Sequence, residues 1–389
     1  MQLLTNIGSL VTCEPSLGDG PLGIIRDAAV LFDEHIQWVG PSAAAPKCAD
    51  TMDAQGRCVI PGFVDSHAHL VFAGDRANEF AARMSGSTYA AGGIRTTVAA
   101  TRAASDAELR ERVAQLASEL LTSGVTHFEC KSGYGLTVDD ELRSIRIAHE
   151  FTDDVTLMAA HVVPQEFTSD PDAYVDLITT SMLPRAAGIA RWVDVFCDSG
   201  AFSSEHASKI LDAARRLGFK TRIHANQLTA GAGADIAAEQ QCVSADHCTY
   251  VSDAQIAALK SAGVVVTLLP AAEFSTRSQY PDARRFLDAG ITVAIATDCN
   301  PGSSYTTSMP FCIAIAVREM HMTPDEALWA ATRGGAAALA RTDMGAIAPG
   351  LRADVVELAA DSHVHIAYRP GVDLVRRVWT QGMLRIDKE

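Results

Sequence analysis

The sequence predicts an α/β protein: a (β/α)8 barrel of the TIM type with a small β-sandwich built from both chain ends. Three observations predict it. Eight short strand-like segments alternate with helical ones through the middle of the 389-residue chain. Each of those strands is apolar throughout, the pattern of a parallel sheet buried on both faces. Both ends carry short strand-like runs that cannot bury a face alone and are expected to meet in one small β domain. A glycine-rich phosphate loop after the first strand would favour an open doubly wound sheet, and there is none. The expected division is 1–57 with 345–389 for the β-sandwich and 58–344 for the barrel.

In order, Ala28 to Phe32 and Ile36 to Val39 read as strands around the break Asp33-Glu34-His35. At the other end Val355 to Leu358, Val375 to Thr380 and Leu384 to Ile386 alternate, the last two separated by Gln381-Gly382. The barrel opens at Pro61-Gly62-Phe63-Val64-Asp65-Ser66-His67-Ala68-His69. A helix from Asp106 carries Leu109, Val113, Leu116 and Leu120 on one face, starts behind the capping box Ser105 to Glu108 and ends at Gly124. Strands follow at Val125 to Lys131, Val155 to Val163, Trp192 to Asp198, Lys220 to Ala225, Cys242 to His247, Val264 to Leu269 and Thr292 to Thr297. Helices between them are expected near Val138 to Glu150, Pro171 to Ile189, Ser204 to Leu217, Ala230 to Glu239, behind the capping box Ser252 to Gln255, and at Asp282 to Ala289.

Composition narrows the function. A net charge of −15, from 32 basic and 47 acidic residues, offers no phosphate-binding footprint and argues against nucleic acid or anionic membranes, leaving a small molecule as the expected partner. Nine cysteines without two-apart pairs fit core thiols in a reducing compartment. The N-terminus has no basic segment leading into an apolar stretch, and the longest apolar run, Val264 to Ala272, is too short to span a bilayer. A cytoplasmic protein is expected.

A barrel places chemistry where strands stop, and there the chain has His67, His69, Lys131, His161, His224, His247 and Asp298. In a strand His67 and His69 share a face about 6.6 Å apart, close enough to close on one ion, with Asp65 beside them to orient an imidazole. Three imidazoles with one carboxylate suit zinc(II), iron or a similar ion with an open position, so His67, His69, His224 and Asp298 are the expected ligands. Such an ion lowers the pKa of bound water and makes hydroxide available near neutral pH. Asp298 can also take the water's proton, and His247 remains as a base or to polarise a carbonyl.

These residues resemble the amidohydrolase superfamily, whose fold is a metal-dependent barrel with a β-sandwich from both ends; Gly345-Ala346-Ile347 and Gly350 to Val356 resemble its return into the sandwich. Within it, the segments Gly74 to Phe80, Ala100 to Ser105, Lys131 to Leu136 and Thr297 to Ser304 resemble the imidazolonepropionase family along nearly the whole chain. The resemblance implies hydrolysis of the cyclic C–N amide bond of 4-imidazolone-5-propanoate to N-formimidoyl-L-glutamate, in histidine degradation, on one zinc or iron ion in a homodimer. It implies that Arg76 binds the propionate carboxylate, as a planar fork suits. Tyr134 and His161 would line the ring pocket, Gln227 would hydrogen-bond substrate, and Asn300, Gly302 and Ser303 would hold the product's polar groups. The expected mechanism has metal-bound hydroxide attack the ring carbonyl, His247 steady the oxyanion and Asp298 pass its proton to the leaving nitrogen.

Two departures stand out. The chain is shorter than many family members between Tyr89 and Gly92, trimming a loop near the pocket, and Gln227 stands where some relatives carry an acid. Gln227 cannot donate a catalytic proton, which weakens the alternative of an aminohydrolase (deaminase); the other alternative is a different amidohydrolase acting on a carboxylate-bearing cyclic amide. No lysine lies in Trp192 to Asp198, which favours one ion over a two-metal centre with a bridging carboxylated lysine. A silent binding barrel would have lost a ligand or His247, and a metal-free barrel centred on Lys131 would need no ion.

Overall fold

The computed structural model describes residues 1–86 and 93–388. The expected trimmed loop between Tyr89 and Gly92 lies outside the described residues. The chain divides into two compact units, residues 1–66 with 118–127 and 308–389, and residues 67–117 with 128–307.

In the first unit both chain ends enter one mixed sheet. Its strand order is Met383–Asp387, Val375–Thr380, Val355–Leu358, Cys58–Pro61, Gln2–Val11, Ile24–Phe32 and Ile36–Pro41, with Thr51–Asp53 paired off that path to Gln2–Val11. The ends meet where Val356 opposes Ile60 in an antiparallel ladder, while Ser9 and Cys58 pair in parallel. Beneath lies a core of Leu4, Ile7, Leu10, Val30, Phe32, Val59, Ile347, Val355 and Trp379. Phe32 and Trp379 meet edge to face at 6.0 Å, fastening the two ends by a contact worth about 1 kcal/mol beyond burial.

The second unit is built on seven parallel strands in sequential order: Cys130–Lys131, Val155–Ala160, Trp192–Cys197, Lys220–Ala225, Ser244–His247, Val265–Leu268 and Val293–Ile295. Residues 67–69 join the outermost two. The His69 amide donates to the Cys299 carbonyl and the Asp298 amide to His67, both at 2.9 Å, while the Lys131 amide donates to Ala68 at 2.9 Å. The sheet therefore curls until its edges share one segment.

Helices follow local signals. The Asp106–Thr122 helix starts on its capping box, Ser105 N–H donating to Glu108 at 2.7 Å, and buries Leu109, Val113, Leu116 and Leu120. Gly124 ends it at φ +94°. Ser252 and Gln255 form the second box, ahead of Asp253–Ala262.

Several sequence expectations shift. The strand expected over Val125 to Lys131 breaks at Glu129: Val125–Phe128 pairs with Phe63–Asp65, and Cys130–Lys131 begins the seven-stranded sheet. The helix expected from Pro171 to Ile189 widens into a π turn at Ile178–Met182 and ends at Ala186. The apolar run from Val264 turns from strand to helix at Pro270, which occupies the first helical position, where its missing N–H costs nothing. Helices Ala77–Met84 and Ile94–Ala103 hold few large apolar residues, and Met309–Glu319 is apolar on most of its faces, so none of the three stands out by pattern. All nine cysteines are free thiols and only Cys48 is more than slightly exposed. Among the described residues no helix is long and apolar enough to cross a membrane.

Candidate active site

The strand ends of the second unit deliver their polar side chains to one buried place. Imidazole nitrogens of His67, His69 and His224 lie within 4.8 Å of one another. The Nε2 atoms of His67 and His69 are 3.3 Å apart, and Oδ1 of Asp298 is 3.5 Å from each. All four residues are at most 3% exposed. The predicted ligands thus converge.

Two of the remaining nitrogens, those of His67 and His224, are held from behind. His67 Nδ1 lies 2.7 Å from Asp246 Oδ2, and His224 Nδ1 lies 3.1 Å from Asp194 Oδ1. An imidazole that donates its Nδ1 proton to a carboxylate presents Nε2 as a lone pair, so these pairs aim His67 and His224 at the cluster. Asp65 had pointed to itself as the orienting carboxylate through its place beside the pair; the group at His67 Nδ1 is Asp246, from a distant strand.

Asp194 and Asp246 are held in turn by a fully buried layer of charge. Lys131 Nζ donates to Glu129 and Asp194, both at 2.8 Å. Arg222 donates to Asp246 through Nε and Nη2 at 3.1 and 2.9 Å. Thr156 donates to Glu129. Lys131, expected at the rim, therefore points into this layer. Burial opposes ionisation of Asp194, but His224, Lys131 and Arg222 outweigh it and hold its pKa well below the usual value. The strands are buried on both faces, yet not apolar throughout; the pattern that betrays the layer is a charged residue inside an otherwise apolar strand run, as at Glu129, Asp194 and Arg222.

Burial lowers the pKa of His67, His69 and His247 well below 6.5 and that of His161 to about 3, so the rings are neutral at physiological pH. It pushes Asp298 well above the usual carboxylate value, against bonds from Asn300 and Ser303. A lone pair on His67 Nε2 facing Asp298 is a corner that a cation would satisfy, and three imidazoles with a carboxylate suit a first-row divalent ion. The residues present fit the implied metal.

Around the cluster His69, Arg76, Tyr134, His161, His224, Gln227, His247, Asp298, Asn300 and Ser303 line a narrow cavity, with Ile94, Val162 and Phe196 as apolar walls. Those walls had no sequence signal beyond being apolar. His161 stacks on His69 at 5.3 Å, and its Nδ1 lies 3.1 Å from the Gly133 carbonyl, which leaves Nε2 as an acceptor. Gly133 sits at φ +114°, where a Cβ would come 2.9 Å from that ring. The loop around Tyr134 is held by buried Glu141, which accepts from the amides of Gly133, Gly135 and Leu136 at 3.1, 2.9 and 2.7 Å. Nδ1 of His247, fully buried, has no hydrogen-bond partner among the described residues.

After Asp298 the backbone makes a tight turn. Asn300 Oδ1 accepts from the amides of Gly302 and Ser303, both at 2.8 Å, and Nδ2 donates to the Asp298 carbonyl at 2.6 Å. Ser303 Oγ donates to Asp298 Oδ2 at 3.3 Å. Asp298 and His247 both adopt left-handed backbone, at φ +52° and +72°, a strain found where function dictates side-chain direction.

Arg76 is clamped. Its Nε and Nη2 donate to Glu79 at 2.8 and 2.6 Å. A Cβ on Gly93 would overlap Glu79 and Arg76 Nη2, and one on Gly302 would overlap Arg76 Nη1.

Comparison with known proteins shows the family. Residues 58–382 match the model of the amidohydrolase family. The chain is 61% identical over 381 residues to an imidazolonepropionase of Mycolicibacterium smegmatis, covering 98% of this chain and 96% of that protein. It is 61% identical over 381 residues to one of Streptomyces griseus, covering 97% and 98%. Among solved structures, an atrazine chlorohydrolase of Arthrobacter aurescens complexed with zinc aligns with a TM-score of 0.71 at 18% identity, over 100% of this chain and 95% of that one. An adenosine deaminase of Xanthomonas campestris with bound zinc aligns at 0.73 and 19%, over 99% and 93%. At such identities the structural likeness speaks for the fold alone. The chain belongs to the amidohydrolase family and, within it, to the imidazolonepropionases, and it is a hydrolase.

Proposed function

We propose that this enzyme hydrolyses the ring amide of 4-imidazolone-5-propanoate to N-formimidoyl-L-glutamate with His67, His69, His224 and Asp298 holding one zinc or iron ion. The observation that carries the reading is the convergence of those four side chains beside His247 at one cavity. Bound there, the ion would supply Lewis acidity and make water nucleophilic near neutral pH.

The chain's own groups do the rest. Arg76 takes the propionate carboxylate, and Glu79 keeps the guanidinium extended for it. Tyr134 and His161 flank the ring, while Gln227 and the turn of Asn300, Gly302 and Ser303 orient its polar atoms. Asp298 accepts the attacking water's proton on a carboxylate oxygen and delivers it to the ring nitrogen as the C–N bond breaks. His247, neutral because it is buried, donates a hydrogen bond to the carbonyl oxygen as charge gathers there.

The boundaries 58–344 for the catalytic barrel, a homodimer and a cytoplasmic location belong to the same proposal. Nine unpaired thiols support a reducing compartment. The test is turnover of freshly generated 4-imidazolone-5-propanoate, followed by loss of ring absorbance, with metal analysis of the same sample. Turnover with about one metal per chain supports the reading. A full metal complement without turnover discards the substrate.

A further inference from the structure

Arg83 lies seven residues after Arg76 on the helix Ala77–Met84, two turns on and so on the same face. Its side chain is 3% exposed. A guanidinium this deep is costly unless its donors are used, and three bonds use its two terminal nitrogens. Nη1 donates to the Ser275 carbonyl at 2.9 Å, and Nη2 donates to the Gly302 carbonyl at 3.0 Å and to Glu79 Oε1 at 3.3 Å. Glu79 Oε1 is the same oxygen that takes Arg76 Nη2. One carboxylate thus links two arginines, and the second reaches the turn that follows Asp298.

The consequence is geometric. Arg76 and Asp298 line the same cavity from separate segments of chain. The direct tie between those segments through Arg83 fixes how far the guanidinium of Arg76 stands from Asp298. That span must match the distance from the reacting ring carbonyl to the end of the acid arm.

We propose that Arg83 is a positioning residue that sets the length of acid arm the enzyme accepts, by tethering the Arg76 helix to the Gly302 carbonyl. The inference rests on the reading of Arg76 as the carboxylate site. It requires no contact between Arg83 and substrate, and Arg83 does not line the cavity.

The experiment is a double-mutant cycle read with two substrates, the propionate-armed imidazolone and its acetate-armed analogue. Arg83→Met should raise KM for the propionate substrate about tenfold with a smaller change in kcat, leave metal content unchanged, and narrow the preference for the propionate arm. In an Arg76→Ala background the same change should add less than about twofold, because the group it positions is gone. Arg83→Lys, which keeps the charge beside Glu79 but cannot fork to both carbonyls, should fall between, and it carries the test if Arg83→Met does not fold. An equal loss in both backgrounds, or an unchanged preference between the two arms, overturns the proposal. An Arg76→Ala enzyme with unchanged KM overturns instead the carboxylate reading beneath it.

Discussion

Oδ2 of Asp246 lies 2.7 Å from Nδ1 of His67, and the same oxygen accepts two hydrogen bonds from Arg222. One atom therefore aims an imidazole and neutralises a buried guanidinium. Asp246→Asn keeps an acceptor but removes the charge. Metal affinity, measured by competition with a chelator, should fall about 10- to 100-fold. Stability should fall by about 3 kcal/mol, since Arg222 would keep only more distant carboxylates, Glu129 at 3.6 Å and Asp194 at 3.9 Å. Wild-type metal affinity in the variant would refute the aiming role.

Asp298→Asn preserves the shape of the turn but removes the group proposed to carry the proton. We expect kcat to drop by roughly 10²- to 10⁴-fold with KM within a few-fold. A variant that keeps its metal and more than a tenth of wild-type kcat would move the proton transfer to another residue.

Glu273 gives a pH dependence of stability with a definite sign. Its carboxyl is buried, accepts from Thr249 at 2.9 Å, and has an Oε2 without a hydrogen-bond partner among the described residues. Burial raises its pKa from 4.5 to about 7. Between those values the unfolded chain releases a proton that the folded chain keeps, so stability is full below pH 4.5 and is lost as pH rises through 7. Glu273→Gln, which stays neutral, should be more stable than wild type by up to about 3 kcal/mol at pH 8, with the gap closing toward pH 4.5. Parallel melting curves of the two proteins across that range would contradict it.

Chelation should abolish turnover without unfolding the chain, because Asp194 and Asp246 keep Lys131 and Arg222 as partners whether or not an ion is bound. Circular dichroism should keep its shape, and Tm should fall only by the mass-action stabilisation that the ion had supplied. Loss of secondary structure on chelation would show that the ion, not the ionic layer, holds the strand ends together.

Much of this was legible in the sequence because it depends on short-range pattern. Apolar strands ending in histidine, capping boxes at Ser105 and Ser252, and strand-like ends needing a partner each state their meaning within a few residues. Convergence of His67, His69, His224 and Asp298 followed from barrel topology, which puts every strand end at one rim. The charged layer beneath was not legible. Its pairs depend on register, with Asp194 opposite Arg222 and Asp246 opposite His224, and register is set by the whole sheet. Arg76 was legible as a motif residue, but Arg83 was not, because its partners Ser275 and Gly302 are about two hundred residues away.

The clasp on Arg76 sets a limit on laboratory evolution. Neither Gly93 nor Gly302 has room for a Cβ, since each would strike the guanidinium itself. A saturation library aimed at new acid arms should therefore return glycine at both positions for as long as Arg76 is retained. On the proposed role of Arg76, variants with altered anion preference should arise more readily by replacing Arg76 first than by filling either glycine.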